Sequence, residues 1–302
     1  MSILIPHVTT LWHVWDMSEL GYRLLDSGDF KKLEQLGPHR LVRPAATAVW
    51  GPERLEEDWS NVAAEFVRHR DGTGEWKIKD PRVKEPFEID VHGVKFVIKL
   101  TSFGHLGIFP EQLSNWLKFQ ELIQTRRARG AGTKVLNLFA YTGGSSLFCA
   151  SAGAEVSHVD ASRGTVKWAS ENARASGLGD KPIRWLVDDV KEFVAREVRR
   201  GAIYDGIILD PPSYGKGEKR QVWKIETDLM PLLCELKKIF SATAGSFVCL
   251  SAHSEAYTPT SLGNQLAKIF GEGGTRAAAE MLIMDERGLG LPSGASALWI
   301  AR

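Results

Sequence analysis

The feature that most constrains this chain is a regular alternation of helical and strand-like segments that begins near residue 111. Stretches of helical period alternate with short runs rich in Val, Ile and Leu up to the end of the chain. This order is typical of a parallel sheet covered by helices on both faces, so we predict an α/β fold. The predicted strands are 134–139, 155–160, 183–187, 204–210, 245–251, 277–284 and 296–301, and the predicted helices are 111–128, 144–152, 162–176, 189–200, 222–240 and 259–271.

A different pattern occupies the first hundred residues, where Gly, Pro and Asp separate short apolar runs. Two β-branched runs within 87–100 flank His92-Gly93, which predicts a tight hairpin. The stretch 54–68 has a helical pattern instead. Further strands are predicted at 22–28, 40–44 and 75–78. We therefore expect two domains, a small β-rich accessory domain over 1–100 and a larger α/β domain over 101–302.

Composition narrows the class of protein. No uncharged apolar run approaches the ~20 residues that cross a bilayer, and residues 1–7 lack the order of a signal peptide, so we expect a cytoplasmic protein with no membrane partner. The three cysteines (Cys149, Cys234 and Cys249) are too few for a disulfide framework and lack zinc-site spacing, so we expect reduced thiols and no metal. A net charge of +1 argues against a dedicated non-specific nucleic-acid binder but allows a local basic patch. The oligomeric state stays open.

The first strand of the α/β part runs into a glycine turn and then a helix. Ligands of such sheets bind beyond the carboxyl ends of the strands, where the strand order reverses. Gly143 and Gly144 can let backbone N–H groups approach a bound group, although a glycine pair after a strand is also an ordinary turn. The next strand ends at Asp160, 17 positions after Gly143, a spacing that suits ribose hydroxyls. The alternative role of Asp160 is to cap the helix that opens at Ser162.

Two later strands also end in carboxylates. The third ends at Asp188-Asp189, either of which would accept a hydrogen bond from an adenine amino group or cap the next helix. The fourth ends at Asp210, followed by Pro211-Pro212 and then Tyr214. A dinucleotide and S-adenosylmethionine both fit a nucleoside site of this layout. The prolines favour S-adenosylmethionine, because they stiffen the loop beside an acid and an aromatic ring, for which hydride transfer has no evident use.

The segment from about 104 to 302 resembles a class I S-adenosylmethionine-dependent methyltransferase. Its Asp210-Pro211-Pro212-Ser213-Tyr214 is similar to the (Asp/Asn)-Pro-Pro-x-(Tyr/Phe) motif of the branches that modify nucleic acids. With Asn137-Leu138-Phe139-Ala140-Tyr141-Thr142-Gly143-Gly144, it makes the chain most similar to the bacterial large-subunit ribosomal RNA methyltransferase family, which includes cytosine-C5 enzymes. The resemblance implies a seven-stranded Rossmann-like methyltransferase sheet, S-adenosylmethionine as cofactor, and methylation of RNA during rRNA processing.

The same resemblance implies roles for individual residues. Gln112, and with it Asn115, would touch the methionine end of the cofactor, and the alternative for this helix start is interdomain packing. Asp160 would hold the ribose, and Asp188 or Asp189 the adenine amino group. The other implied cofactor contacts are Phe139, Tyr141, Thr142, Gly143 and Gly144 on the methionine side and Ala161 and Ser162 beside the adenine, and the implied catalytic residues are Asp210, Pro211, Pro212 and Tyr214.

The implied chemistry is direct attack on a methyl group that a sulfonium already activates, so the protein must align the nucleophile and exclude water, and no catalytic metal is required. For an exocyclic amine of a base, the Asp210 carboxylate and the Asp210-Pro211 carbonyl would accept the N–H groups, and Tyr214 would stack on the base. Such a base must be flipped out of a duplex or single-stranded. The alternative is that Pro211-Pro212 is only a rigid loop.

Cytosine-C5 chemistry requires a cysteine nucleophile. In the cytosine-C5 members of the family this cysteine follows the fifth strand, where this chain has Ala252. Cys249 lies three residues earlier, inside the strand, and is expected to be a buried inert thiol. Cys234 is expected in a helix core, and His253 is expected to be structural rather than a general base. The usual C5 route is therefore in doubt.

We interpret the chain as an S-adenosylmethionine-dependent methyltransferase acting on a base in RNA, with ribosomal RNA as the expected partner. The alternatives are transfer to a protein side chain or small molecule, a non-catalytic nucleoside-binding module, and a dinucleotide oxidoreductase. Basic clusters at 126–129, 196–200 and 216–220 are either phosphate contacts or solvated faces, and the third directly follows the predicted catalytic loop.

Overall fold

The computed structural model describes residues 21–69, 73–216, 222–254 and 256–302. The N-terminal part contains β1 (Tyr22–Gly28), β2 (Lys31–Leu36), β3 (His39–Pro44), α1 (Glu56–Ser60), β4 (Ala64–Arg68), β5 (Gly74–Ile78), β6 (Phe87–Val91) and β7 (Val94–Ile98). Strands β1 to β5 form one sheet in chain order, and β6 and β7 form a separate hairpin. The hairpin turn at His92-Gly93 is confirmed, since both residues have the positive φ that a tight two-residue turn requires.

The predicted helix over 54–68 is wrong. Helix α1 covers only Glu56–Ser60, a third of this stretch, and β4 begins at Ala64. In β4 the buried residues Ala64 and Phe66 alternate with the partly exposed Glu65 and Val67. This period of two fits a strand, and β4 pairs with β3 on one side and β5 on the other. Tertiary pairing therefore overrides the local helical pattern.

The α/β part follows the predicted order closely. After a 3-10 turn at Pro110–Gln112 it contains α2 (Leu113–Ala128), β8 (Lys134–Leu138), α3 (Gly144–Ser151), β9 (Glu155–Asp160), α4 (Arg163–Ala175), β10 (Ile183–Val187), α5 (Val190–Arg200), β11 (Gly206–Leu209), β12 (Tyr214–Lys216), β13 (Val222–Lys224), α6 (Ile225–Lys238), β14 (Phe247–Ala252), α7 (Pro259–Phe270), β15 (Thr275–Met284) and β16 (Gly290–Ile300). Strands β12 and β13 form a small hairpin inside segments expected as loop and helix.

The seven-stranded sheet has the order β10-β9-β8-β11-β14-β16-β15. The first five strands are parallel, whereas β16 runs antiparallel to both of its neighbours. The expectation of a wholly parallel sheet is therefore wrong at this edge. The link between β15 and β16 is too short for a crossover helix, so the pair must form an antiparallel hairpin.

The strand order reverses at β8, since β9 lies on one side of it and β11 on the other. The carboxyl ends of β8, β9 and β11 therefore surround the crevice where ligands of such sheets bind.

A continuous apolar core crosses the predicted domain boundary near residue 100. Tyr22 and Phe96 belong to the same buried cluster as Trp116 and Phe148. Strand β7 is also tied to α4, because the backbone N–H of Val97 donates to Asn172 Oδ1 at 2.8 Å. The division into two domains stays a prediction, but the β-rich part is packed firmly against the α/β part.

Candidate functional site

A cleft of about 830 Å³ lies at the carboxyl ends of β8, β9 and β11. A small recess of about 40 Å³ continues from it toward the start of α2, and Phe139, Tyr141 and Asp210 line both. The volume of the cleft is in the range of small-molecule sites. Of the residues predicted from sequence, the cleft is also lined by Asp160, Ala161, Ser162, Asp189, Pro211 and Pro212, and the recess by Gln112, Thr142, Gly143 and Gly144.

The turn after β8 is held in an uncommon backbone conformation. Phe139 and Tyr141 have φ values of 55° and 47°, and Gly143 has a φ of 91°. Non-glycine residues rarely adopt positive φ, so the surrounding packing must fix this turn. A Cβ on Gly144 would lie 2.4 Å from the Trp116 ring. Glycine at 144 is thus required by packing, in addition to any role beside a ligand.

Asp160 combines the two roles that the sequence left open. Its Oδ2 accepts from the backbone N–H of Tyr141 at 2.9 Å, and its Oδ1 accepts from the Ser162 N–H and the Thr165 hydroxyl, each at 2.9 Å. Ser162 itself is the N-cap of α4. A carboxylate has about four acceptor positions, so one is left for a ligand hydroxyl in the cleft.

The neighbouring acids Asp188 and Asp189 have different surroundings. Asp189 lines the cleft, and its side chain caps α5 by accepting from the Glu192 N–H at 3.0 Å. Asp188 does not line the cleft, because its carboxylate binds Arg196 two helical turns later. Asp189 is therefore the better placed of the two to meet a ligand.

The Asp210 carboxylate lies where the cleft and the recess meet. Its Oδ2 accepts from Gln112 Nε2 at 2.9 Å, whereas its buried Oδ1 has no hydrogen-bond partner among the described residues. Nε2 of His253 lies 3.5 Å from Oδ1, an electrostatic contact without hydrogen-bond geometry. Burial opposes ionisation most strongly, but the charge of His253 together with hydrogen bonds from neighbouring side chains, Gln112 among them, lowers the pKa of Asp210 below its usual value.

His253 carries the complementary charge. Burial would lower its pKa, but Asp210, followed by Glu111, raises the pKa of His253 to about 9. Nδ1 of His253 lies 4.0 Å from Glu111 Oε1. The imidazolium is therefore present at neutral pH and keeps Asp210 ionised. His253 lies at the mouth of the cleft, the position that the end of the fifth strand suggests for it, and there it pairs with Asp210.

Gln112 is buried, and its amide is committed to protein groups. Besides Asp210, Nε2 donates to Ser251 Oγ at 2.9 Å, and Oε1 accepts from Asn115 Nδ2 at 2.7 Å. Asn115 is buried beneath it and lines neither the cleft nor the recess. Gln112, held by Asn115, thus orients the Asp210 carboxylate.

The proline loop is fixed by Trp223, which the sequence did not suggest. Its Nε1 donates to the Pro212 carbonyl at 2.7 Å, and its ring contacts Phe139 at a centroid distance of 4.7 Å. Tyr214 begins β12, is 51% exposed and does not line the cleft. The structure therefore does not bring Tyr214 together with Asp210 and the prolines.

Aromatic rings at the cleft mouth are the other residues that sequence reasoning missed. The Phe109 ring lies 5.2 Å from that of Tyr141, 5.8 Å from that of His253 and 5.5 Å from that of His105. The signal that could have found Phe109 is its position directly before Pro110 and the helix that carries Gln112. His105 lies in a loop, and no pattern marks it.

Neither buried cysteine is prepared to act as a nucleophile. Burial raises the pKa of Cys249 to about 12 and raises that of Cys149 far above its usual range. Cys234 is exposed on α6, so its expected burial in a helix core is wrong. Leu232 and Leu233 face the core instead. Ala252 is buried at the end of β14.

The basic clusters differ from one another. Arg126 is buried and binds Asp205 at 2.7 Å, so it is structural. Arg196 pairs with Asp188, whereas Arg199 is exposed. Most of the cluster at 216–220 lies outside the described residues. Within the described part of the chain, no helix is long and apolar enough to cross a membrane, and no group of three or more His, Cys, Asp or Glu side chains could hold a metal ion.

Comparison with known proteins gives three kinds of match. The model of the S-adenosylmethionine-dependent methyltransferase family matches residues 57–266, more than half of the chain. Ribosomal RNA large subunit methyltransferase K of Neisseria meningitidis serogroup B is 26% identical over 273 residues, which cover 84% of this chain and 75% of that protein. Ribosomal RNA large subunit methyltransferase K/L of Vibrio cholerae serotype O1 is 26% identical over 187 residues, and the match spans only 25% of its length.

Two solved structures of methyltransferases also match this chain. A crystal structure of an S-adenosylmethionine-dependent methyltransferase from Agrobacterium tumefaciens is 36% identical, with a TM-score of 0.87, and the match covers 93% of this chain and 91% of that one. A methyltransferase structure complexed with SAH has a TM-score of 0.72 at 19% identity, and the match covers 93% of this chain and 76% of that one. This second likeness concerns the fold alone.

Proposed function

The chain belongs to the S-adenosylmethionine-dependent methyltransferase family, and from this premise we propose that it methylates an exocyclic amino group of a base in ribosomal RNA. The observation that carries the proposal is the buried Asp210 Oδ1, which has no hydrogen-bond partner among the described residues and belongs to a side chain that lines the cleft. A buried acceptor without a partner is costly unless a ligand donor completes it. An amino group is such a donor.

The cleft fits the cofactor. S-adenosylmethionine supplies a methyl group that its sulfonium activates. We propose that Asp160 binds the ribose through its remaining acceptor position. Asp189 would accept from the adenine amino group, beside Ala161 and Ser162. The methionine end would occupy the recess along Phe139, Tyr141, Thr142, Gly143 and Gly144, with Gln112 at its base.

At the acceptor side, the carboxylate and the proline loop would act together. Asp210 Oδ1 would accept one N–H of the amine, and the Asp210 carbonyl the other, which leaves the nitrogen lone pair directed at the methyl group. Neither Pro211 nor Pro212 has an N–H that competes for these acceptors. The amine loses one proton on methylation, and Oδ1 is the nearby acceptor for it. Since Tyr214 lies outside the cleft, we propose Phe109 as the ring that stacks on the base.

A base reaches such a pocket only when it is single-stranded or flipped. Ribosomal RNA is proposed as the substrate because two of the relatives are named for it, and the cytoplasm is the compartment that this substrate implies. Cytosine C5 is not proposed as the target atom. The buried thiols of Cys149 and Cys249 are protonated at neutral pH, and Cys234 does not line the cleft.

The experiment is nucleoside mass spectrometry of ribosomal RNA from cells with and without the protein, followed by transfer of labelled methyl groups to that RNA in vitro. We expect one mark to disappear and Asp210→Ala to abolish its restoration while S-adenosylmethionine still binds, as measured by calorimetry. Asp210→Asn keeps a carbonyl acceptor, so it should retain partial activity. An unchanged nucleoside profile would refute the RNA substrate and favour a protein or small-molecule acceptor.

A further inference from the structure

A second cavity of about 180 Å³ adjoins the mouth of the cleft, and we name it the side chamber. It lies between the N-terminal sheet and the segment before α2. Lys32, Arg43 and Arg68 line it, and it shares His105 and Phe109 with the cleft. It is smaller than the roughly 300–1,000 Å³ of pockets that hold drug-sized ligands, so it suits a small group rather than a whole nucleotide.

The charges around the chamber do not balance. Glu34, which is fully buried, is bound by Arg43 through both carboxylate oxygens, at 2.6 and 2.8 Å. Lys32 shares the same carboxylate at 3.2 Å, and the Tyr22 hydroxyl donates to it at 2.7 Å. Two cations therefore share one carboxylate. A buried cation without its own counter-ion is costly, so an anion in the chamber would stabilise this cluster.

Counting Glu34, three cations and two carboxylates surround the chamber, so one positive charge is in excess. Arg68 is exposed at its edge and adds a third cation. Glu111 is the second carboxylate; it acts on Lys32 and Arg43 and lies 4.0 Å from His253, which is also paired with Asp210. Burial and the neighbouring Arg43 lower the pKa of Lys32, as expected where positive charge is in excess. This excess of positive charge favours an anion in the chamber, beside the place where a base would enter.

We infer that the side chamber binds a backbone phosphate of the RNA, next to the nucleotide whose base enters the cleft. The inference rests on the proposed function, which supplies the RNA. The rings of His105 and Phe109 form the shared wall, so an occupant of the chamber lies directly beside an occupant of the cleft. Phosphate contacts position a nucleic acid without reading its sequence, so the chamber would align the strand while the cleft selects the base.

The test uses the full chain and a short, fluorescein-labelled single-stranded RNA of mixed sequence. Arg68→Gln removes an exposed cation, and Lys32→Gln removes one from the cluster. Arg129→Gln is the matched control, because Arg129 is exposed just before β8, at the opposite edge of the sheet. We expect each chamber variant to weaken RNA binding roughly threefold or more. The plot of the logarithm of the binding constant against the logarithm of the salt concentration should also become less steep, by about 0.7. The control should match the wild type in both quantities.

Arg68→Gln keeps the test independent of folding, since Arg68 is exposed at the edge of the chamber and the substitution leaves its backbone pairing with Gly74 in place. Affinity for S-adenosylmethionine should be unchanged in all variants. If Arg68→Gln and Lys32→Gln bind RNA like the Arg129→Gln control, the inference is overturned. Inorganic phosphate should displace RNA from the wild type more effectively than chloride does at the same ionic strength. This difference between phosphate and chloride should be smaller for Lys32→Gln. If phosphate competes equally with wild type and Lys32→Gln, it binds elsewhere and the inference fails.

The two proposals can fail separately. If the wild type transfers methyl groups to RNA but the chamber variants bind it normally, only the phosphate site is wrong. If the variants bind RNA more weakly but the wild type methylates none, the phosphate site stands and the proposed substrate chemistry fails.

Discussion

Replacing Gln112 with leucine tests how the carboxylate at the centre of the site is held. The Gln112 amide donates to Asp210 Oδ2 and Ser251 Oγ and accepts from Asn115. Leucine has a similar volume but neither donor nor acceptor, so Asp210 loses the donor that orients it. A hydrogen bond to a charged group contributes about 1.5–3 kcal/mol. If this energy holds Asp210 in its reactive orientation, kcat/KM for RNA should fall by roughly 10- to 150-fold.

The comparison variant is Ser251→Ala, which removes the second acceptor of Gln112 and a weaker neighbour of Asp210, but leaves the bond between Gln112 and Asp210 in place. We expect a much smaller loss of kcat/KM for this variant. Calorimetry with S-adenosylmethionine separates two roles of Gln112. If it acts through Asp210, the Kd for the cofactor is unchanged. If it touches the methionine end, as its resemblance to the family implies, the Kd rises together with the loss of rate.

A double variant completes the test. If Gln112 acts through Asp210, adding Gln112→Leu to Asp210→Ala slows methyl transfer no further, because the group that it orients is already absent. Losses that add in full would refute a positioning role. So would a Gln112→Leu enzyme with the kcat/KM of the wild type.

Three further predictions concern neighbouring groups. In the folded protein the pKa of His253 is raised from 6.5 to about 9, so its contribution to stability should be complete below pH 6.5 and lost as the pH rises through about 9. Urea unfolding at both ends of this range should show a loss of unfolding free energy in the wild type that His253→Gln lacks. Arg126→Ala leaves the Asp205 carboxylate without its partner in a mostly buried pair and should lower the free energy of unfolding by about 3–5 kcal/mol, and a loss below about 1 kcal/mol in urea titrations would contradict this. Asp160→Ala should weaken binding of S-adenosylmethionine in calorimetry, whereas Asp188→Ala, whose carboxylate lies outside the cleft, should not; equal losses in both would contradict the assignment.

The α/β part could be predicted from sequence because its signals are local. A strand buried on both faces is a short run of branched apolar residues, and β9 and β10 were predicted with the bounds that the structure has. The antiparallel edge and the β12–β13 hairpin carry no such signal. They depend on a short link and on the contact of Trp223 with Pro212, which only the folded chain brings together.

The strand ends that carry Asp160 and Asp210 could be predicted for a related reason, since parallel topology places every carboxyl end at one edge. His253 directly follows the carboxyl end of β14 and is found by the same rule, whereas Phe109 is not. The two rings are 144 positions apart in the chain, and they meet because the segment before α2 crosses the end of β14. Tyr214 does not line the cleft, because the chain after Pro212 turns into the β12–β13 hairpin, where Tyr214 is exposed.

For Asp188 and Asp189, the local sequence does not decide which carboxylate faces the cleft. The two acids give the same sequence signal, and each could cap a helix or meet a ligand. Successive side chains at the end of a strand point in different directions, so only one of them can face the cleft. The choice is made by α5, whose first turn uses Asp189 as its cap and whose second turn brings Arg196 to Asp188. A sequence can therefore indicate which strand end bears the ligand, but the packing of the following helix decides which of two adjacent carboxylates is free to bind it.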